Sequence, residues 1–228
     1  MEDEKLQCKV PLKPIIGIPV YKDHESFEMM ILSLISSTNC FDRIIIVESD
    51  GDLEYWKGYG GKGFDIIHTK KEGPLKAYNK LFEIAKQENK DLFITQTDIL
   101  FPRLYKRDWL EMMSTYAQLN DVGIVTSLNG GGVSGEDYLN GFYWVGGWCT
   151  YFSKKCWEVF EKYDENYIKG WGVDIDSTYQ INKKYKTLRV NYWVDHHQLN
   201  NRSHETNPNA SQEMKQAGDY FKKKWGIK

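Results

Sequence analysis

Three places along the chain carry carboxylates, amides and imidazoles at spacings that suit chemistry on a polar ligand. Asp91 to Pro102 is a short apolar run that stops at Gln96-Thr97-Asp98 and reads as a buried strand delivering one carboxylate to a sheet edge. Strands buried on both faces are near-continuous Ile, Leu, Val and Phe, and ligands of open α/β sheets bind outside the strands' carboxyl ends. Asp98 sits at such an end, where a carboxylate serves equally well as the cap of a turn. Further on, Gly170-Trp-Gly-Val-Asp-Ile-Asp176 reads as a tight loop running into a helix whose first turn holds Asp174 and Asp176. The helix dipole favours the ionised form of a carboxylate there. Successive polar positions on a helix point in different directions, so one of the pair can face a cleft while the other braces the loop. The third place is Asp195-His196-His197 at the end of Leu188-Arg-Val-Asn-Tyr-Trp-Val194, where strand alternation sets His196 with Val194 and His197 with Asp195.

The elements that must position these groups alternate between two periods. Ile15 to Tyr21 is a strand interrupted by Pro19, followed by Phe27, Met30, Ile31, Leu34 and Ile35 at helical spacing. Arg43 to Asp52 is a strand ending in an acidic turn, and Phe64-Asp-Ile-Ile67 leads into a helix opened by Gly73-Pro74. That helix carries Tyr78, Leu81, Phe82 and Ala85 on one stripe, and its N-terminus, near Lys70, Lys71 and Lys76, suits an anion such as a diphosphate. Trp109, Met112, Met113, Tyr116 and Ala117 form another stripe, Val122 to Thr126 another strand, and 129–135 a glycine-rich surface loop. Ser153 is placed to cap a short helix through Phe160. Strands alternating with helices in this way imply an α/β fold. Residues 1–13 read as a flexible lead-in and 14–228 as one domain. Within it, 14–102 and 103–206 read as two halves and 207–228 as a C-terminal helix striped by Met214, Ala217, Phe221 and Trp225. Lys222, Lys223 and Lys224 on that helix offer a membrane surface as an alternative use.

Composition narrows the partners. The 228 residues carry a net charge of −2 and are 41% hydrophobic, so there is no overall basic field for nucleic acid. No apolar run approaches the roughly 18 residues that a membrane span requires. Four cysteines show neither CxxC nor zinc spacing, and the charged N-terminal stretch has no apolar core of a signal peptide, so a reduced, cytoplasmic setting is expected. There is no Walker-type Gly-Lys-Ser/Thr and no GxGxxG, which argues against a nucleotide hydrolase or a dinucleotide dehydrogenase.

Four stretches, in order, resemble the nucleotide-sugar-dependent glycosyltransferases of the GT-A fold, closest to family 2. Ile16-Gly-Ile-Pro-Val-Tyr21 is similar to the family's first strand and Ile45-Ile-Val-Glu-Ser-Asp-Gly51 to its second, whose acidic residue contacts the base. Gly73-Pro-Leu-Lys-Ala-Tyr-Asn79 resembles its Gly-Leu-Ala-Ala-Ala-Arg-Asn helix start. Tyr163-Asp-Glu-Asn-Tyr167 through Asp176 resembles its Asp-Glu-x-(aromatic)…Gly-Trp-Gly-Glu-Asp-x-Asp element.

The resemblance implies a Rossmann-like domain with a mixed, mostly parallel sheet flanked by helices, with 14–102 as its nucleotide-sugar half and 103–206 as its acceptor half. It implies transfer of a sugar from a nucleotide-sugar donor, UDP-linked, to a glycan or other hydroxyl acceptor, inverting, with Asp174 as general base. Donor binding would fall to Pro19, Val20, Tyr21, Glu48, Asp50, Lys76, Asn79, Gln96 and Thr97. Acceptor and sugar contacts would fall to Trp148, Trp171, Gly172 and Asp176, and Mn²⁺ or Mg²⁺ to Asp98 with His196 or His197. The chain departs from the pattern where Asp-x-Asp becomes Gln96-Thr97-Asp98, Glu becomes Val173 and Arg becomes Tyr78, leaving Lys76 as the substitute cation. Two alternatives remain at this stage: a sugar nucleotidyltransferase and a non-catalytic carbohydrate- or nucleotide-binding module.

Overall fold

The computed structural model describes residues 12–21, 23–49, 51–61, 63–69, 73–104, 107–129, 144–196 and 207–227. The elements are β1 (Ile15–Val20), α1 (His24–Ser37), β2 (Arg43–Glu48), α2 (Leu53–Lys57), β3 (Phe64–His68), α3 (Pro74–Gln87), β4 (Leu92–Thr95), β5 (Ile99–Leu100) and α4 (Trp109–Ala117). They continue with β6 (Val122–Thr126), β7 (Cys149–Phe152), α5 (Val173–Asn182), β8 (Lys186–Arg189), β9 (Asp195–His196) and α6 (Ala210–Trp225), with single 3-10 turns at Lys154–Glu158 and Ile168–Gly170.

Seven strands form one sheet in the order β3-β2-β1-β4-β7-β6-β8, and β5 pairs with β9 in a separate two-stranded ribbon. All contacts are parallel except those that β7 makes with β4 and β6, so the sheet is mixed and mostly parallel, the α/β arrangement expected. Both faces are covered. Ile16, Ile18, Ile44, Ile46 and Phe93 point to the side packed by Phe27, Met30 and Leu34 of α1 and Trp109 and Met113 of α4. Ile15, Ile45, Val47, Leu92 and Ile94 point the other way, against Leu81 and Phe82 of α3, Ile181 of α5 and Phe221 of α6. The strands read as unbroken apolar runs because alternation sends every residue into one of two cores.

Several expectations shift by a turn or a face. The run from Asp91 to Pro102 breaks: β4 ends at Thr95, Asp98 lies in a turn, and Ile99–Leu100 leaves the main sheet to pair with Asp195–His196. Likewise the stretch 188–194 is not one strand, since β8 stops at Arg189. Helix α2 follows the acidic turn, with the Asp52 side chain accepting from the Tyr55 N–H, a cap that the sequence pattern did not reveal. Ile35, Tyr116 and Met214 are on stripe positions but largely exposed, because each stripe is wider than the helix face the sheet can cover. Ser153 precedes a 3-10 turn and its side chain makes no cap hydrogen bond. The glycine-rich loop falls outside the described residues from position 130 onward.

Helix α6 is fastened to the rest by a buried acid. Asp176, 3% exposed, accepts from the Trp225 indole N–H at 2.7 Å and from the Lys224 ammonium at 2.8 Å, and Lys224 also reaches Asp164 at 2.8 Å. The Lys224 ammonium is therefore tied to two carboxylates, although the residue keeps part of its surface in solvent. Removing one partner of a buried pair strands the other charge, which is the costly way to break it. We expect Lys224→Ala to lower stability by about 1–3 kcal/mol, after allowing for screening of an ammonium that keeps part of its surface. Lys223→Ala on the exposed face should leave the melting temperature unchanged, and equal melting temperatures for the two variants would refute this reading of the helix.

Candidate active site

The chain builds β1, then β2 and β3 on one side of it, then crosses to place β4 on the other side, so strand order reverses between β1 and β4. At such a switch point the connections leave in opposite directions and a crevice opens beyond the strands' carboxyl ends. Pairing between β1 and β4 covers Ile15 to Gly17 and stops, while pairing with β2 continues to Val20. Pro19 is tolerated in an interior strand because the β4 side has already opened there. The crevice is therefore bordered by Pro19, Val20 and Tyr21 on one side and Gln96, Thr97 and Asp98 on the other. Val20 is buried and Tyr21 is 51% exposed beyond it.

Strand β7 runs antiparallel to β4 with Thr95 opposite Cys149, so its incoming segment, Gly146-Gly147-Trp148, lies beside Gln96-Thr97-Asp98. A Cβ on Gly146 would sit 2.0 Å from the Trp148 ring, so the missing side chain makes room for that indole rather than for a ligand. The Trp148 ring stacks on His196 with centroids 5.4 Å apart. His196 is brought there by the β5–β9 ribbon, in which Ile99 faces His196, and its Nε2 lies 3.1 Å from Asp98 Oδ2. His197 and Asp50 lie outside the described residues.

Asp98 Oδ1 is buried with no hydrogen-bond partner, and so is the Trp148 indole Nε1. A carboxylate oxygen shut off from water and left unpaired is destabilising unless a cation or donor meets it. Among the described residues no three His, Cys, Asp or Glu side chains converge. The pair Asp98–His196 therefore offers one carboxylate oxygen and one imidazole nitrogen, two groups of the kind that a divalent cation can take as ligands.

Asp174 lies in the first turn of α5, within electrostatic reach of Tyr78. Its Oδ1 accepts from the Ile175 N–H at 2.9 Å, and the Gly147 N–H also points to its carboxylate. Burial pushes its pKa up to about 6, against the pull of those backbone donors. Between Asp174 and Asp98 stands Tyr78, whose hydroxyl accepts from the Gln96 amide at 2.8 Å and whose phenol is held protonated by burial and by both carboxylates. Tyr163 packs against Tyr78 with centroids 5.4 Å apart, and its pKa is likewise raised, first by burial. Tyr78, bonded to Gln96, thus lies in the field of both acids, and the Gly147 N–H meets the second of them.

Other expected site residues are engaged elsewhere. Glu48 is fully buried, with Oε2 accepting from the Gly51 N–H and Oε1 on Nδ1 of His68, so its carboxylate is already committed. Asn79 spends its amide on the backbone of Tyr163, donating to the carbonyl at 3.1 Å and accepting from the N–H at 2.8 Å. Lys76 is paired with Glu165 at 2.7 Å, and Lys70 and Lys71 lie outside the described residues. Three of the four acceptor-side positions face α6 instead. The Trp171 indole donates to Glu213 at 3.1 Å, a Cβ on Gly172 would pack between Tyr167 and Ala217, and Asp176 holds Lys224 and Trp225. The reason is common to all three: they flank the start of α5, and α6 covers that flank. His68, Tyr78 and Tyr163 were not singled out as polar site residues by the sequence. Tyr78, at the place of the family's arginine, and Tyr163, at the head of the 163–176 stretch, had positional signals, and His68 had none.

No protein-family profile and no curated protein sequence matches the chain. Solved structures do. A mannosyltransferase from Pyrobaculum calidifontis, PcManGT, in complex with GDP-Man and Mn²⁺, is similar over 78% of this chain and 55% of its own, at 16% identity and a TM-score of 0.58. TarS 1–349 of S. aureus covers 80% of this chain and 60% of its own, at 13% identity and a TM-score of 0.55. GalNAc-T7 with UDP, GalNAc and Mn²⁺ covers 81% and 44%, at 12% identity and a TM-score of 0.54. The chain spans about half the length of these proteins. With its mixed seven-stranded sheet and the reversal at β1 and β4, the chain has the GT-A glycosyltransferase fold.

Proposed function

We propose that the protein transfers a sugar from a nucleoside-diphosphate sugar, UDP-linked, to an acceptor hydroxyl with inversion. The observation that supports this reading is that Tyr78, which accepts from Gln96, lies within electrostatic reach of both Asp98, which His196 meets, and Asp174. The acceptor oxygen forms a bond to the anomeric carbon as the bond from that carbon to the diphosphate breaks. Asp174 takes the hydroxyl proton as attack proceeds. A carboxylate with a pKa near 6 is a stronger base than an exposed aspartate and is still ionised at neutral pH. Gly147 and Ile175 N–H groups fix its orientation. A divalent cation, Mn²⁺ or Mg²⁺, held by Asp98 and His196 would offset the charge developing on the diphosphate. The orphaned Asp98 Oδ1 supports that assignment.

Three outcomes test the reading. UDP with Mn²⁺ should raise the melting temperature, since a ligand at 100 times its dissociation constant adds about 2.7 kcal/mol. No shift with any nucleoside diphosphate removes the donor site. Asp98→Ala should abolish Mn²⁺ binding measured by calorimetry in the presence of UDP, and Gln96→Asp should tighten it by adding a carboxylate. If both variants bind Mn²⁺ like the parent, Asp98 is only a turn residue.

For the base, Asp174→Asn should lower turnover about 10²- to 10⁴-fold with UDP affinity kept. In the parent, turnover should rise with pH through about 6 and then level, because the base acts unprotonated. The stability consequence has the opposite sense. The folded state holds the Asp174 proton up to about pH 6 and the unfolded chain only to about 3.8, so stability falls between those values as pH rises. Asp174→Asn, which cannot ionise, should therefore melt higher than the parent at pH 7.5, while Asp176→Asn should melt lower and keep its chemical step. Parental turnover in Asp174→Asn overturns the assignment.

A further inference from the structure

Tyr78 stands in the field of both acids and has no task in the transfer reaction as described. Its hydroxyl accepts from the Gln96 amide at 2.8 Å, so the phenol's own hydrogen still needs an acceptor. Neither acid supplies one: Asp98 meets His196 through Oδ2 while its Oδ1 has no partner, and Asp174 is met by backbone N–H groups. If the amide turns over, the phenol donates to its oxygen and both amide N–H groups are released instead. In either arrangement the pair keeps a hydrogen-bond donor that no described residue takes up. Tyr78 is 7% exposed, and an unused donor at that depth is costly unless something meets it.

Gly147 supplies the space. The position that its Cβ would take lies 3.4 Å from the Tyr163 hydroxyl and 4.0 Å from the Tyr78 hydroxyl, and among the described residues no other atom outside Gly147 and its chain neighbours comes within 4 Å of it. Two phenol oxygens therefore face one small gap. Its place in the site is fixed from two sides. The Gly147 N–H points to the Asp174 carboxylate, and Gln96, on the strand end beside the 146–148 segment, holds Tyr78. Gly147 and Gln96 each keep part of their surface in solvent, whereas Val145, Gly146 and both tyrosines are buried, so the gap lies where the core gives way to the crevice. The frame is rigid: Asn79 clamps the Tyr163 backbone at 3.1 and 2.8 Å, and the two phenol rings pack with centroids 5.4 Å apart.

A group that fills this gap has to accept from the Tyr78–Gln96 pair beside an acid. The Asp174 carboxylate, one N–H away, repels a phosphate oxygen, and an apolar group leaves the donor unmet. A neutral alcohol satisfies both conditions, since its oxygen accepts while its hydrogen is free to point at a carboxylate. We propose that Tyr78, held by Gln96 and opening onto the gap at Gly147, binds a hydroxyl of the transferred sugar and so selects which sugar is used. This rests on the transfer reading above. The acceptor hydroxyl fits less well, because a hydrogen bond donated to its oxygen stabilises the electron pair with which it must attack. A site built to hydrogen-bond a hydroxyl discriminates against the analogue that lacks it, because its own polar groups are then left unpaired. With the frame already fixed, little ordering is lost on binding.

The test uses the full chain with Mn²⁺ and no acceptor. Calorimetry compares UDP with UDP-sugars of gluco, galacto and manno configuration, and then with the monodeoxy analogues of the tightest binder. One deoxy analogue should bind the parent about ten-fold more weakly than the full sugar, and that difference should vanish in Tyr78→Phe, while UDP alone binds both proteins equally. Gly147→Ala sets a methyl at ordinary contact distance from the two hydroxyls, so it should fold and bind UDP yet lose the preference for the same hydroxyl. Equal binding of every deoxy analogue to the parent, or a preference that survives in both variants, overturns the subsite. A lower melting temperature in Tyr78→Phe with all sugar affinities kept also overturns it and leaves the gap to a structural water. So does an equal loss of UDP and UDP-sugar affinity, since Tyr78 then meets the diphosphate. The two readings fail separately. UDP binding and transfer with silent variants remove only the subsite, whereas no binding of any nucleoside diphosphate removes the transfer reading and the subsite with it.

Discussion

The site depends on β1 and β4 being neighbours that part early. Their pairing ends at Gly17 and Ile94, and from there each strand end is free to turn away from the other. Helix α3 packs at that point: a Cβ on Gly17 would meet the Leu81 side chain at 2.9 Å, so α3 presses directly on β1 where the crevice begins. Once α3 is seated, Tyr78 on its inner stripe is delivered to the crevice floor and Asn79 to the loop at Tyr163. A polar cleft is thereby built on an apolar contact, with the strand ends supplying the chemistry and the helix supplying their spacing.

The two acids near Tyr78 are held by different means. Asp98 is positioned by its neighbours in a short antiparallel ribbon, whose other strand brings His196. Asp174 is positioned by a helix start, and the same first turn carries Asp176 in nearly the opposite direction, about 200° around the axis. One acid faces the crevice and is left with a raised pKa, and the other is tied down by Lys224 and Trp225. Division of labour between two acids two residues apart explains why α6 matters to the site without touching it. It holds the helix start from behind, through Asp176, Trp171 and the contact of Tyr220 with Asp164.

Two polar networks surround the crevice without entering it. Glu48 and His68 bridge the ends of β2 and β3, and Asn79 bridges α3 to the segment that leads to α5. Each satisfies buried backbone or carboxylate groups that would otherwise be stranded at a sheet edge, which is the condition for loops to hold a fixed shape there. The cleft's geometry is therefore set outside the cleft. Among the described residues no helix is long and apolar enough to cross a membrane.

The sequence by itself determined the layered α/β fold, because runs such as Arg43–Glu48 and stripes such as Tyr78, Leu81, Phe82 and Ala85 have only one way to bury both sheet faces. It also marked the acids at strand and helix ends, Asp98 and Asp174, since these positions are defined by local pattern. Direction was not legible. Trp171, Gly172 and Asp176 lie in the same motif as Asp174, yet which side of α5 meets the crevice and which meets α6 is decided by where the chain's last helix docks, a contact between segments about 40 or 50 residues apart. The same holds for His196. Alternation put it on one face and His197 on the other, but only the pairing of Asp195–His196 with Ile99–Leu100 brings its imidazole to Asp98. Glu48 and Asn79 carried the right types at the right spacing, and the tertiary structure spent them on His68, Gly51 and Tyr163, because a buried polar group takes the partner nearest to it.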